Sequence, residues 1–197
     1  MEENFMDDYK KTGYTLSRNI TALMRKRRSR SFVMPTITVI ILFDTAIPEE
    51  YGDAEEKLGQ FAKTIDRNTI IISDKARFYS GGEIYREVLR STETLRTRPD
   101  IYFVHQVDES NADEVFGKYG AVDALYDLKR EGRIGFTGIA SHYYNVLYRA
   151  ALDPCIDVLQ GIGNILERGM LDRIRQEQIE RVHQLLDAYG GGCFRNA

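Results

Sequence analysis

Residues 101–105 read Ile101-Tyr102-Phe103-Val104-His105, an apolar run that ends on a histidine. Four consecutive apolar side chains show no alternation between a buried and an exposed face, so the run predicts a strand that is covered on both sides. Parallel strands between two layers have this property. A polar residue directly after such a strand lies at its carboxyl end, where α/β folds place functional groups.

Similar runs recur along the chain and predict further strands at residues 36–43, 69–72, 134–139, 156–159 and, more weakly, 182–186. Amphipathic stretches between them predict helices at 53–65, 83–95, 111–129 and 144–152. The third stretch has the pattern of one continuous covering helix. Strand and helix alternate, which predicts an α/β domain with about six recognisable parallel strands.

Two α/β architectures fit this alternation, a doubly wound sheet and a barrel. The doubly wound reading requires a G-x-G-x-x-G fingerprint, but Gly161-Ile162-Gly163 is followed by Leu166 where the third glycine should stand. A barrel instead carries polar residues at the carboxyl ends of successive strands. The sequence places such residues in series, which favours the barrel: Asp44, Asp74, Lys75, His105, Ser141, His142 and Gln160.

Composition points to a single domain whose partner is a small molecule or another protein. The 197 residues carry a formal net charge of -3, so no strong field draws the chain to nucleic acid or to an anionic membrane. Residues 1–35 contain the basic run 25–30 and lack the strand–helix period, so we predict an irregular, solvated segment there and one domain over 36–197. The acidic start lacks the features of a signal peptide, which predicts a cytoplasmic protein. Cys155 and Cys193 are far apart and are predicted to be reduced thiols.

Four polar residues together suit the reduction of a carbonyl group. A carbonyl that receives hydride develops negative charge on oxygen, so a proton donor such as the Tyr51 phenol lowers the barrier. The ammonium of Lys75 would favour the phenolate, and Asp44 would keep the lysine charged and in place. The imidazole of His105 would orient the carbonyl oxygen. A metal-dependent hydrolase using Asp44, His105 and Asp108 is a weaker alternative, because no metal-ligand spacing supports it, and we predict no metal.

The segments that carry these residues resemble, in order, the signature of the aldo-keto reductase family. They are Phe43-Asp44-Thr45-Ala46, the run from Tyr51 to Gly59, Asp74-Lys75, and the stretches 100–105, 128–141 and 157–169. The resemblance covers residues 36–194. It implies a TIM (β/α) barrel and NADPH-dependent reduction of an aldehyde or ketone to an alcohol, with Tyr51 as proton donor. It also implies contacts to the cofactor from Ser141, His142, Gln160 and the loop of Gly190, Gly191 and Gly192.

The chain also departs from the family pattern. Ile47-Pro48-Glu49-Glu50 makes the segment before Tyr51 two residues longer than in the family, and Asp74 offers Lys75 a competing carboxylate. The barrel is expected to be incomplete at both ends, with open strand edges available for self-association. A catalytically impaired, truncated relative that binds a nucleotide or a partner is therefore the alternative function.

Overall fold

The computed structural model describes residues 14–17 and 42–162, together with residues 169, 173 and 176. The strands are β1 (Tyr14–Ser17), β2 (Leu42–Asp44), β3 (Ile71–Ala76), β4 (Ile101–Val104), β5 (Phe136–Ala140) and β6 (Val158–Gly161). They form one sheet in the order β1-β6-β5-β4-β3-β2. Strands β2 to β6 are parallel, and β1 runs antiparallel to β6. The five parallel strands form a curled half-barrel, which confirms the prediction of an incomplete (β/α) barrel.

The helices are α1 (Pro48–Tyr51), α2 (Ala54–Ala62), α3 (Gly81–Leu95), α4 (Ala112–Phe116), α5 (Ala121–Arg130) and α6 (Tyr144–Leu152). Helix α3 buries Ile84, Val88, Ser91 and Leu95, a spacing of three to four residues that places them on one face against the sheet. No helix in the described part of the chain is long and apolar enough to cross a membrane.

The stretch 111–129, predicted as one helix, forms the two helices α4 and α5. Gly120 lies between them, and a Cβ at this position would stand 2.1 Å from the carbonyl oxygen of Glu114. The backbone there turns to pair with the start of α3: Gly81 N donates to Tyr119 O, and Ala121 N donates to Tyr79 O, each at 2.9 Å. A tertiary contact, which the helical period does not reveal, therefore interrupts the helix.

The two faces of the sheet have different apolar neighbours. Side chains on the inner, concave face form one buried cluster that contains Ile71, Ile101, Phe103, Ala140 and Val158. Their neighbours along each strand point outward and pack against the helices in two further clusters. Alternation along a strand thus decides which polar residues enter the barrel interior.

Two carboxylates fix the amino ends of the strands. Asp100, directly before β4, accepts hydrogen bonds from the Ile72 amide at 2.9 Å and from Arg67 Nη2 at 2.7 Å. Asp157, directly before β6, accepts from the Thr137 amide at 2.9 Å. Both carboxylates belong to the motifs quoted above, and they hold neighbouring strands in register at the end of the sheet opposite to His105.

Strand β1 lies within the N-terminal stretch in which the sequence predicts no strand. Its backbone pairs with β6 from Tyr14–Gly161 to Ser17–Val158, so among the described strands it covers the outer edge of β6. Residues 18–41 and the predicted strand at 182–186 lie outside the described residues. The division at residue 35 stays a prediction.

The prediction of a reduced thiol is wrong for Cys155. This residue is buried in the same cluster as the apolar face of α6 and is disulfide-bonded in the structure. Its partner lies outside the described residues. Spacing along the chain does not reveal such a pair, because a disulfide depends on distance in the folded protein.

Candidate active site

The carboxyl ends of β2, β3 and β4 lie side by side. Asp44 is the last residue of β2 and stands in register with Ser73 of β3, and Lys75 lies two positions further along β3. His105 follows β4, and its amide donates to Ala76 O at 2.9 Å. Asp44 and Lys75 each alternate with inward-facing residues of the inner cluster, so the structure brings them to one edge of the barrel interior beside His105.

Asp44 and Lys75 form an ion pair at this edge. Lys75 Nζ donates to Asp44 Oδ2, and the hydroxyl of Ser73 donates to Asp44 Oδ1 at 2.6 Å. The lysine side chain is 3% exposed and the aspartate side chain 23% exposed. A buried ammonium requires a paired carboxylate, so Asp44 keeps a positive charge at a fixed point inside the barrel.

Tyr51, the last residue of α1, packs against the ammonium of Lys75. Pro48 starts this single turn, in which the amide of Tyr51 donates to Ile47 O at 3.0 Å. The two extra residues before Tyr51 are therefore absorbed as helix. Lys75 Nζ lies 5.0 Å from the centroid of the Tyr51 ring, and the tyrosine is 48% exposed. The contact is through the ring face, and no hydrogen bond joins the phenol to another described residue.

His105 is held by Glu50, which sequence reasoning missed. Nδ1 of the imidazole contacts Glu50 Oε2 in a hydrogen bond, and Arg77 Nε forms an ion pair with Glu50 Oε1 at 3.3 Å. The side chains of His105 and Glu50 are 15% and 5% exposed. Glu50 belongs to the inserted segment before Tyr51, and that insertion was the only signal for it in the sequence.

Burial lowers the pKa of His105 below its usual value, because a charged imidazole loses hydration inside the barrel. The Glu50 carboxylate acts in the opposite direction, and the Lys75 ammonium lowers the pKa further. The protonation of the His105 ring therefore depends on the Glu50 carboxylate and the Lys75 ammonium, which the fold places beside it.

Asp74 does not compete for Lys75, contrary to the expectation from sequence. Successive residues of a strand face opposite sides, so Asp74 points outward while Lys75 points inward. Asp74 Oδ1 accepts from the backbone amide of Lys75 at 2.8 Å. Complete burial and, next, the nearby carboxylate of Glu55 raise the pKa of Asp74 well above its usual value. Lys75 Nζ therefore pairs with Asp44.

The residues predicted to hold the cofactor differ in their burial and in their hydrogen-bond partners. Gln160 alternates with the inward-facing Val158, is partly buried, and makes no side-chain hydrogen bond to another described residue, so its amide can both donate and accept. Ser141 is 2% exposed, donates its hydroxyl proton to Val107 O at 2.5 Å and accepts from the Tyr143 amide. His142 is exposed beside it. The loop Gly190, Gly191 and Gly192 lies outside the described residues. The described donor set therefore fits a carboxamide through Gln160.

Asp108, the third residue of the metal alternative, is engaged in a turn. Its Oδ1 accepts from the Ser110 amide at 2.8 Å, from the Ser110 hydroxyl at 2.6 Å and from the Asn111 amide at 3.2 Å. These bonds lower the pKa of Asp108 and hold its carboxylate in the loop after β4.

Comparisons with solved structures show what the chain is similar to. A protein from Pseudomonas aeruginosa described as an aldo-keto reductase is 28% identical over 67% of this chain and 51% of that chain, with a TM-score of 0.49. A structure described as a 2,5-diketo-D-gluconic acid reductase B is 17% identical over 79% of this chain and 55% of that chain, with a TM-score of 0.53. A glycerol dehydrogenase from Gluconobacter oxydans is 19% identical over 64% and 38%, with a TM-score of 0.45. No curated protein sequence matches the chain.

The likeness to the 2,5-diketo-D-gluconic acid reductase B structure supports the fold alone. The chain spans about half the length of the first solved relatives that it matches. A sequence model of the Aldo/keto reductase family matches residues 32–188, which is well over half of the chain. The chain therefore belongs to the aldo/keto reductase family.

Proposed function

We propose that the chain carries the catalytic centre of an NADPH-dependent oxidoreductase that reduces an aldehyde or ketone to an alcohol, with Tyr51 as proton donor. Family membership supports oxidoreductase chemistry with a nicotinamide cofactor. The observation that carries the proposal for this chain is the buried Lys75–Asp44 pair, with the face of Tyr51 against the ammonium.

Each residue has a distinct task in this reaction. The hydride and a proton add across the C=O bond, so negative charge develops on the oxygen and must be met by a donor. Tyr51 gives its phenolic proton to that oxygen, and Lys75 stabilises the phenolate that is left behind. Asp44 keeps Lys75 charged and fixed. His105 hydrogen-bonds to the substrate oxygen and orients it.

A reduced nicotinamide supplies the hydride when the cofactor is bound. Gln160 is the described residue that suits its carboxamide, because the amide offers both a donor and an acceptor on the inner face of β6. Ser141 would have to give up its bond to Val107 O before it could donate to a ligand. The preference for NADPH over NADH is part of the proposal.

Cofactor titration followed by a tyrosine substitution tests the proposal. We expect NADPH fluorescence to change on binding, and NADH to bind more weakly. Tyr51→Phe should abolish reduction of a reactive aldehyde while leaving NADPH binding unchanged, because the ring stays and only the proton is lost. Tyr119→Phe is the matched control, since this tyrosine is 76% exposed in the loop between α4 and α5, and it should retain full turnover. Absence of NADPH binding up to millimolar cofactor would refute the reductase proposal for this chain.

The alternative is a catalytically impaired relative that binds a nucleotide or a partner. Two observations favour it: Tyr51 is half exposed without a hydrogen bond to a described residue, and the Ser141 hydroxyl is already engaged. NADPH binding without turnover of any aldehyde, in the wild type as in Tyr51→Phe, would select this alternative. Self-association through strand edges and a cytoplasmic location stay predictions, for sedimentation and cell fractionation to test.

A further inference from the structure

Glu50 stands at the centre of a contact chain that links the inserted segment to the imidazole. Its Oε2 contacts His105 Nδ1, its Oε1 is paired with Arg77, and the carboxylate is 5% exposed. Arg77 is in turn fixed by a hydrogen bond to Gln106 Oε1 at 3.1 Å. Neither the reductase mechanism above nor the family signature requires a carboxylate at this position.

The backbone of the inserted segment explains why Glu50 reaches the histidine. Thr45 N donates to Ser73 O at 2.9 Å and Ile47 N to Lys75 O at 3.2 Å, so the chain continues along β3 beyond the end of β2. Helix α1 then starts at Pro48 and turns the chain back, and Ile47, 3% exposed, anchors the turn in the core. Glu50 and Tyr51 are consecutive on this turn. The residues that lengthen the segment thus supply a carboxylate next to the phenol.

We propose that Glu50 is the positioning residue of His105: it holds the ring by Nδ1, leaves Nε2 for the substrate oxygen, and thereby decides whether Nε2 donates to a carbonyl or accepts from a hydroxyl. The inference rests on the proposed function, whose substrate oxygen His105 orients.

The proton count of the Glu50–His105 pair determines the role of Nε2. When the pair holds one proton between Glu50 and Nδ1 and a second on Nε2, Nε2 is a donor, whichever partner carries the shared proton. When the pair has lost one proton, the remaining one stays on Nδ1, because an ionised carboxylate can only accept. Nε2 then presents a lone pair. Without Glu50 this preference for Nδ1 would disappear, and the neutral ring could keep its proton on Nε2.

The two forms suit opposite directions of one balanced reaction. A carbonyl substrate accepts from Nε2–H while hydride adds to its carbon and the Tyr51 proton adds to its oxygen. An alcohol substrate donates its single hydroxyl proton to the bare Nε2, and in this direction the carbon loses hydride to the oxidised nicotinamide while that proton passes from the oxygen to Nε2. Reduction should therefore be favoured at lower pH than oxidation.

The charged groups around the pair come from three elements. Glu50 and the Tyr51 phenol lie on α1, Asp44 ends β2, and Lys75 and Arg77 lie on and just after β3. Burial and Lys75 lower the pKa of His105, whereas Glu50 and, less strongly, Asp44 raise it. Removal of the Glu50 charge should therefore lower the pKa of His105 further.

Nitrogen-15 NMR of the histidine rings tests the positioning role without cofactor or turnover. The chain has three histidines, and the His105 signals are those lost in His105→Asn. In the wild type we expect the neutral ring at alkaline pH to carry its proton on Nδ1. In Glu50→Gln the titration midpoint should move to lower pH. Glu49→Gln, which removes the same charge from the adjacent exposed residue of α1, should titrate like the wild type.

Kinetics provide the second readout. In Glu50→Gln the neutral ring is able to keep its proton on Nε2, so aldehyde reduction should no longer decline at the NMR midpoint, and Glu49→Gln should keep the wild-type decline. A wild-type ring protonated on Nε2 at alkaline pH would overturn the inference, as would equal titration midpoints in Glu50→Gln and Glu49→Gln. An absence of NADPH binding with the expected NMR result would refute the reductase function and leave the Glu50–His105 pairing standing. Each variant is first checked for the wild-type thermal transition, and if Glu50→Gln does not fold, the position of the proton on the neutral His105 ring of the wild type decides the inference by itself.

Discussion

Replacement of Asp44 by alanine should destabilise the fold much more than replacement of Lys75 by methionine. Lys75 is 3% exposed, and Asp44 is the carboxylate that pairs with it. Asp44→Ala leaves a buried ammonium without a counter-charge, which costs about 3 kcal/mol. Lys75→Met keeps most of the side-chain volume and removes the charge. The remaining Asp44 carboxylate is 23% exposed and keeps the Ser73 hydroxyl at 2.6 Å, so this change should cost about 1 kcal/mol.

The double variant distinguishes a buried ion pair from two independent contributions. Independent effects would add to about 4 kcal/mol, but Asp44→Ala with Lys75→Met leaves no unpaired charge, so we expect a loss of about 1–2 kcal/mol. Urea denaturation followed by circular dichroism measures these free energies of unfolding, and at this chain length 3 kcal/mol corresponds to a fall of roughly 6–12 °C in the melting temperature. Equal losses in the two single variants, or strict additivity in the double variant, would refute the buried pair.

Two further predictions concern the packing and the pH response of the sheet. Gly138→Ala should destabilise the fold by about 1–3 kcal/mol, because the added Cβ would lie 2.3 Å from Cδ1 of the fully buried Phe103; an unchanged urea midpoint would contradict this contact. Asp74→Asn should make the fold less sensitive to rising pH: a carboxyl whose pKa is raised by burial and by Glu55 contributes stability below the ordinary aspartate pKa and loses it as the pH rises through the higher folded value. Between acid and neutral pH, the melting temperature of Asp74→Asn should rise relative to that of the wild type. The exposed Asp53→Asn is the control. Parallel melting curves for Asp74→Asn and the wild type would exclude a buried, protonated carboxyl group at Asp74.

Patterns that depend on local sequence predicted much of the fold. The strand β4 is buried at all four positions, and the sequence showed an apolar run there for the same reason, since both of its faces are covered. Asp44, Lys75 and His105 could be placed at one edge because each follows or ends such a run in a parallel sheet. The burial of Asp74 and Lys75 on opposite faces also follows from alternation, once the register is known.

Features that depend on contacts between distant segments were not predictable in this way. The division of 111–129 into α4 and α5 requires the pairing of the residues around Gly120 with the start of α3, and the strand β1 exists through its pairing with β6. The bond between Glu50 and His105 joins residues 55 positions apart. No periodicity along the chain encodes such a meeting.

In the inserted segment before Tyr51, the local residue count predicts one position for the phenol, and contacts with distant segments produce another. By residue count, two extra positions should move the phenol away from Lys75. In the structure, Pro48 and the buried Ile47 turn the extra length into one helical turn, and the Tyr51 ring still faces Lys75 at 5.0 Å. The same turn directs Glu50 to His105, so the insertion adds a carboxylate beside the imidazole while the tyrosine ring stays against the ammonium. If the chain is a reductase, its difference from other members of the family should therefore be found in the pH dependence set by Glu50, and less in the loss of a proton donor.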